Sequence, residues 1–333
     1  MSSVAAPALP RLGFLGTGWI GRLRLEAIAA SGVADVTALA DPDAACLAAA
    51  ARAVPHASLH ATDIDELLAA GLDGIVIATP SALHAEQAIH ALEHGVAVFC
   101  QKPLGRTASE TRAVVAAAAC ADRLLGVDMS YRHTAAALAL RERVRAGAVG
   151  PVHAVDLVFH NAYGPDKPWF LDPALSGGGC TIDLGIHLVD LLLWALDFPG
   201  ITGIDARRWR AGEPAGAGVA EDLCLATIDL AGGTVARLAC SWFSHEGRDC
   251  VLEATFRGRD GAVSLQNAGG SFHDFGVELR RGTRAHAIVS PPDDWGGRAA
   301  VDWARRLRAG ARFDPAIQRL VDVAGVLDGM LER

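Results

Sequence analysis

Apolar positions in the first 130 residues gather into short continuous runs separated by stretches of helical period. The runs at 12–15, 36–40, 74–79, 97–100 and 124–129 predict strands, and the segments 22–30, 63–70, 84–94 and 107–121 predict helices. Strands that are apolar on both faces and alternate with helices predict a doubly wound parallel sheet of the Rossmann type. Beyond residue 197 the pattern changes to longer alternating segments, 223–230, 234–243, 250–256 and 262–265, with glycines at the turns. This predicts an α+β region whose open, mainly antiparallel sheet is covered by helices on one face. Helical stretches at 296–309 and 315–331 close the chain, the second with Ile317, Leu320, Ala324, Leu327 and Leu331 on one side. A length of 333 residues supports two domains, divided here as 1–125 and 126–333.

The first predicted strand runs into Gly16-Thr17-Gly18-Trp19-Ile20-Gly21 and then a helix. Glycines in that order permit a tight turn and close approach of backbone to a pyrophosphate, whose charge the helix N-terminus favours. Asp41 ends the second strand, 20 residues past Gly21. A carboxylate there accepts hydrogen bonds from an adenosine ribose and repels a 2′-phosphate, which favours NAD and leaves NADP the second choice. The other reading of Asp41-Pro42 is an ordinary turn. Further along, Val98-Phe99-Cys100 leads into Gln101-Lys102-Pro103, and a charge followed by proline cannot continue a central strand. Lys102 therefore belongs at a strand's carboxyl end, the edge where open α/β sheets bind ligands, together with Thr79-Pro80.

In the second half, Gly177-Gly178-Gly179 precedes a helical run, 181–194, that is apolar except for Asp183, His187 and Asp190. Offsets of four and seven bring the three within about 60° of one another on a helix of 3.6 residues per turn. A helix apolar on nearly every side is buried, so its polar stripe faces either a polar cavity or paired partners. A zinc site normally needs three or four convergent ligands, no further ligand is evident, and no metal is assigned.

Composition narrows the class. A net charge of −8 and a pI near 5.8 disfavour a nucleic-acid surface. Seven cysteines without a C-x-x-C pair read as reduced core cysteines of a cytoplasmic protein. Residues 1–11 show no leader pattern, and no uninterrupted apolar segment reaches membrane-spanning length. The expected partners are a small molecule and further copies of the chain.

Taken together these motifs resemble the glucose-fructose oxidoreductase/inositol dehydrogenase/MocA family over essentially the whole chain. The glycine loop corresponds to Gly16, Gly18 and Gly21, the family's E-K-P signature to Gln101, Lys102 and Pro103, and its G-G-G-x-x-x-D-x-G-x-H segment to Gly177 through His187. Gln101 departs from the usual glutamate. The resemblance implies an NAD(P)-dependent dehydrogenase acting on a sugar, cyclitol or related polyol, and a homo-oligomer, dimer or tetramer, assembled through the C-terminal sheet. It makes Lys102, Asp183 and His187 the catalytic group, and Thr79, Pro80 and His84 contacts on the nicotinamide side, with Gln101 beside them. Oxidising an alcohol carbon requires a base for the hydroxyl proton. A histidine, with an ordinary pKa near 6.5, suits that task, so His187 is assigned as general base, Asp183 as its orienting partner and Lys102 as the group that stabilises the alkoxide. Arg132, His133, Asn161, Tyr163, Lys167, Trp169, Trp242 and His245 are candidates for facing substrate, since aromatic surfaces beside polar groups suit sugar rings. The competing functions are a non-catalytic dinucleotide sensor on the same fold and a cofactor-retaining enzyme that passes hydride between two sugars.

Overall fold

The apolar runs of the first third pair edge to edge in a computed structural model that describes residues 8–332. Residues 1–7, part of the stretch read above as carrying no leader, lie outside the described residues. The strands are β1 (Arg11–Leu15), β2 (Asp35–Ala40), β3 (Leu59–Ala61), β4 (Gly74–Ile77), β5 (Ala97–Cys100) and β6 (Leu125–Val127). All pairings are parallel and the order is β3-β2-β1-β4-β5-β6, which is the Rossmann order. Leu12, Phe14, Leu39, Val76 and Phe99 are fully buried between the sheet and its helices.

Two features of this unit were not expected. The helix Ala44–Ala53 is written mostly in alanine, which marks no apolar face; Asp43 starts it by accepting from the backbone N–H groups of Ala45 and Cys46. The helix after the glycine loop begins at Trp19, inside the motif, and not at Arg22.

The chain forms two compact units that are not consecutive halves. One comprises the residues up to Gly105, Ser109–Ser130 and Gly296–Gln318, and the other Arg106–Ala108, Tyr131–Trp295 and the segment from Arg319 onward. The division at 125/126 therefore differs from the units in three places, the first being Arg106–Ala108, which belongs to the second unit. Residues 126–130 stay with the parallel sheet, and the helix Arg298–Arg308 returns to it. The reason is burial: Ala300, Trp303 and Ala304 join the first core, with the Trp303 ring 5.6 Å from Phe99.

The second unit is built on a nine-stranded sheet. Its strands are β7 (Val152–Asn161), β8 (Ile201–Arg210), β9 (Glu213–Pro214), β10 (Leu223–Leu230), β11 (Val235–Ser241), β12 (Cys250–Gly258), β13 (Gly261–Asn267), β14 (Phe275–Arg281) and β15 (Arg284–Val289). They lie in the order β15-β14-β13-β12-β7-β11-β10-β8-β9. Only β7 with β11 is parallel; the other pairings are antiparallel. One face carries the helices Ala135–Arg145, Ile186–Ala195 and Arg319–Met330, with Val155, Leu157 and Phe159 of β7 buried beneath them. On the other face Asp156 receives Arg237 and Arg257, and Leu225 is exposed.

The stretch Pro173–Ala195 is, against expectation, long and apolar enough to cross a membrane by composition, but 89% of its apolar window is buried inside this unit. It is a core helix.

Candidate active site

Each strand of the parallel sheet passes its ladder on to the residue that follows it. Gly16 N–H donates to the Ala40 carbonyl, Ala78 N–H to Leu15, Gln101 N–H to Ile77 and Asp128 N–H to Cys100, all within 2.8–2.9 Å. Gly16, Asp41, Thr79, Gln101, Lys102 and Asp128 therefore emerge along one carboxyl edge, around the β1/β4 switch point where strand order reverses.

The glycine loop has a steric cause. Gly16 has φ +85°, and a Cβ there would stand 2.6 Å from the Ala78 carbonyl. A Cβ on Gly21 would stand 2.1 Å from the Gly16 carbonyl oxygen. No side chain caps the helix that follows Gly18, so its first N–H groups face outward for an anion. Trp19 is exposed and Ile20 half-buried at that helix start. Asp41 is buried and fixed: Oδ2 accepts from Thr17 N at 2.6 Å and Thr17 Oγ1 at 3.1 Å, and Oδ1 accepts from Asp43 N at 2.9 Å. A carboxylate offers about four acceptor positions, so one is left for a ribose hydroxyl, and the residues present fit NAD. Asp41→Ala is expected to weaken NAD binding about 10-fold, the loss of one charge-assisted hydrogen bond, and to narrow the preference over NADP in a fluorescence titration.

His84 lies differently from its expected place beside the nicotinamide. It is 1% exposed, with Nδ1 2.7 Å from the Pro103 carbonyl and Nε2 2.7 Å from the Thr79 carbonyl. The ring braces the two loops that end β4 and β5 and has no nitrogen left for a ligand. Thr79 Oγ1 is likewise engaged, donating to Gln87 Oε1 at 2.6 Å. Burial pushes the His84 pKa below its ordinary value, outweighing the two carbonyl acceptors, and the Lys102 charge adds to the depression. The unfolded chain therefore binds this proton first as pH falls. Stability from the neutral ring is present above about pH 6.5 and is lost as pH drops through the folded-state pKa. Urea unfolding is expected to show a steeper loss toward acid for the wild type than for His84→Gln.

In the second unit every residue from 177 to 195 is buried except Asp183 and His187. The run is not one regular helix: Thr181–Gly185 is a π turn and the α-helix starts at Ile186. The ideal-helix angles expected for Asp183 therefore do not apply, and a π turn is a common device at functional sites. Glu221, fully buried, anchors the entry. Its carboxylate accepts from Gly179 N at 3.2 Å and Thr181 N at 2.8 Å, and its carbonyl accepts from Cys180 N at 2.9 Å. Trp242 Nε1 donates to Asp183 Oδ2 at 3.2 Å, while Trp242 N–H is tied to the Asp222 carbonyl at 2.8 Å.

His187 stands edge-on to Tyr131, ring centroids 4.6 Å apart, with Phe159 at 6.2 Å. Burial pushes the Tyr131 phenol's pKa up, with Cys250 and Asp183 adding to the rise, so Tyr131 stays protonated and is no competing base.

The polar stripe divides at Asp190. Asp190 is 2% exposed and accepts from Arg132 Nε at 2.8 Å and Arg132 Nη2. The guanidinium also lies over Trp194 and Phe198, at 5.9 and 5.6 Å from the ring centroids. Asp190 is thus a partnered buried carboxylate, and Arg132, expected to face substrate, is its structural counter-ion. Asn161 ends β7 with a buried Oδ1 that has no protein partner, next to His160, whose Nδ1 lies 2.7 Å from Ser241 Oγ. Tyr163 is half exposed and 6.1 Å from Phe272, Trp169 stacks on Phe170 at 3.9 Å, and His245 is exposed. Among the described residues no group of three His, Cys, Asp or Glu could hold a metal ion.

Tyr131, Glu221 and Asp128 went unnoticed in the sequence. Asp128 left the clearest signal, as a charge directly after the apolar run that forms β6.

Comparison with known proteins agrees with this architecture. Residues 11–129 match the family model described as an oxidoreductase family with an NAD-binding Rossmann fold, and residues 137–264 that of the GFO/IDH/MocA C-terminal domain. Inositol 2-dehydrogenase 2 of Paenarthrobacter aurescens is 30% identical over 90% of this chain and 86% of its own. The rhizopine catabolism protein MocA of Rhizobium meliloti is 31% identical over 55% of this chain, and the alignment spans 56% of that relative's length. A crystal structure of GenD2 from gentamicin A biosynthesis in complex with NAD superposes with a TM-score of 0.81 at 24% identity, covering 99% of this chain and 95% of that one. Levoglucosan dehydrogenase in complex with NADH and L-sorbose gives 0.80 at 21%, covering 97% and 96%.

Proposed function

The chain belongs to the GFO/IDH/MocA family of NAD-binding oxidoreductases, and from that premise we propose that it is an NAD-dependent dehydrogenase acting on a CH–OH carbon of a sugar, cyclitol or related polyol. The observation that carries this reading is the exposure of Asp183 and His187 alone along an otherwise buried helix. Two half-buried polar groups, Asp183 on the π turn and His187 on the helix that follows it, with Trp242 against the first and Tyr131 against the second, suit proton transfer beside a ring-shaped ligand.

When bound, the nicotinamide supplies the hydride acceptor or donor. The protein supplies the proton chemistry. His187 takes the hydroxyl proton in oxidation and returns it in reduction. Asp183, held by Trp242, orients that imidazole. Lys102, on the carboxyl edge of the first unit, is the group assigned to stabilise a developing alkoxide charge. The first unit holds the cofactor through Gly16, Thr17, Gly18, Gly21 and Asp41, and the second binds substrate, with the Asn161 amide among its hydrogen-bonding groups. The names of the relatives, an inositol dehydrogenase and a levoglucosan dehydrogenase among them, favour a polyhydroxylated substrate.

The reading extends to assembly and compartment. The helix-free face of the second sheet, with Leu225 exposed beside the Asp156–Arg237 pair, is suited to self-association as a dimer or tetramer. Seven cysteines in the thiol form favour the reducing cytoplasm. The test is a screen at 340 nm of monosaccharides, cyclitols and sugar acids with NAD and NADP in parallel. NADH formation with at least one of them is expected. Cofactor binding without turnover across the panel would favour a dinucleotide sensor instead.

A further inference from the structure

Asp128 follows β6, and its carboxylate is buried to 1% exposure with a single oxygen carrying both its bonds. Oδ2 accepts from Arg24 Nε at 2.6 Å and from Gln101 Nε2 at 2.5 Å, while Oδ1 is buried with no partner. Arg24 and Gln101 are themselves buried. Arg24 belongs to the helix that starts in the glycine loop, and Gln101 immediately precedes Lys102. Three elements of the first unit, 104 and 27 residues apart in sequence, thus meet on one oxygen.

The charges decide what residue 101 can be. Arg24 and Asp128 cancel, and a carboxylate can only accept, so the side chain at 101 must offer a donor and no charge. A glutamate at 101 would set a second carboxylate against the first at a buried site. Glutamine is therefore matched to Asp128. We infer that Asp128 is a positioning residue, a buried carboxylate that ties the helix of the dinucleotide loop to the residue in front of Lys102, and that Gln101 is its obligate partner. The network fixes the backbone from which Lys102 projects and the helix that receives the cofactor. The inference rests on the dehydrogenase reading only for the role of Lys102.

The test is a double-mutant cycle on the full chain: wild type, Gln101→Glu, Asp128→Asn and the double variant. In the double variant the donor and acceptor exchange places. The amide nitrogen introduced at position 128 donates to the new carboxylate at position 101, the amide oxygen accepts from Arg24, and the net charge is unchanged. NADH affinity by fluorescence, kcat and polyol KM, and melting temperature are measured for all four. Each single variant is expected to bind NADH about 10-fold more weakly and to lose kcat about 10-fold or more at saturating NADH, with polyol KM within about 3-fold of wild type. The double variant is expected to recover both to within about 3-fold. Gln101→Met, which removes the donor and adds no charge, covers the case in which a charged single variant fails to fold; it is expected to lose kcat about 5-fold without loss of fold. Recovery of melting temperature in the double variant without recovery of kcat and NADH affinity would overturn the positioning role. So would a double variant no better than the worse single one, and the dehydrogenase reading would stand in either case. If the wild type turned over no polyol, that reading would fail while the NADH arm of the cycle still decided the inference.

Discussion

His187→Asn is expected to lower kcat for polyol oxidation about 10³-fold, within the range that general acid–base groups supply. The substitution keeps a polar side chain of similar reach against Tyr131, so the edge-on packing that backs the ring is largely preserved. Asparagine cannot take up a proton near neutrality, and Tyr131 cannot replace it, because burial keeps its phenol protonated. NADH binding is expected to be unchanged, since the glycine loop and Asp41 are untouched. Steady-state kinetics beside a cofactor titration check both points. A variant within 10-fold of wild type would remove His187 from the role of base.

Lys102→Met is expected to lower kcat about 10²-fold, the usual effect of removing one preorganised donor from a developing oxyanion. Methionine keeps the length and apolar stem of lysine and removes the charge. A second readout does not depend on turnover. The Lys102 charge is one of the influences that hold the His84 pKa down, so the variant is expected to raise it, visible as an upward shift in the His84 titration by NMR. An unchanged His84 titration together with unchanged kcat would remove Lys102 from this edge of the site.

The sequence made the parallel sheet legible because strands buried on both faces are written as unbroken apolar runs, with 97–100 read at its observed limits. It hid β7, the strand between β11 and β12, because His153, Asp156 and His160 interrupt its apolar residues. Asp156 and His160 occupy the alternate positions that face away from the core, and His153 stands exposed at the start of the strand. It also hid the return of Arg298–Arg308 to the first unit, since an amphipathic pattern shows that a helix packs but not on what.

At the site, Asp183 and His187 stood out against an apolar helix, and they are the residues left accessible there. Asp190 belonged to the same stripe, yet it is buried on Arg132, 58 residues away, and periodicity cannot distinguish a cavity from such a partner. His84 shows the same limit. The family resemblance made it a nicotinamide-side contact, whereas its two carbonyl partners, five and 19 residues away, make it a brace. Gln101, an unexplained departure in the sequence, acquires a reason only when Asp128 and Arg24 are seen to share it.

The central claim is hydride transfer between a carbinol carbon and nicotinamide, and the most direct measurement is the fate of deuterium placed on that carbon. A polyol found active in the 340 nm screen, deuterated at the reacting carbon, is oxidised with NAD, and the reduced cofactor is recovered and weighed by mass spectrometry. The expected result is NADH heavier by one deuterium, formed in step with the oxidised product. Reduced cofactor without deuterium, or product formed without reduced cofactor, would contradict it.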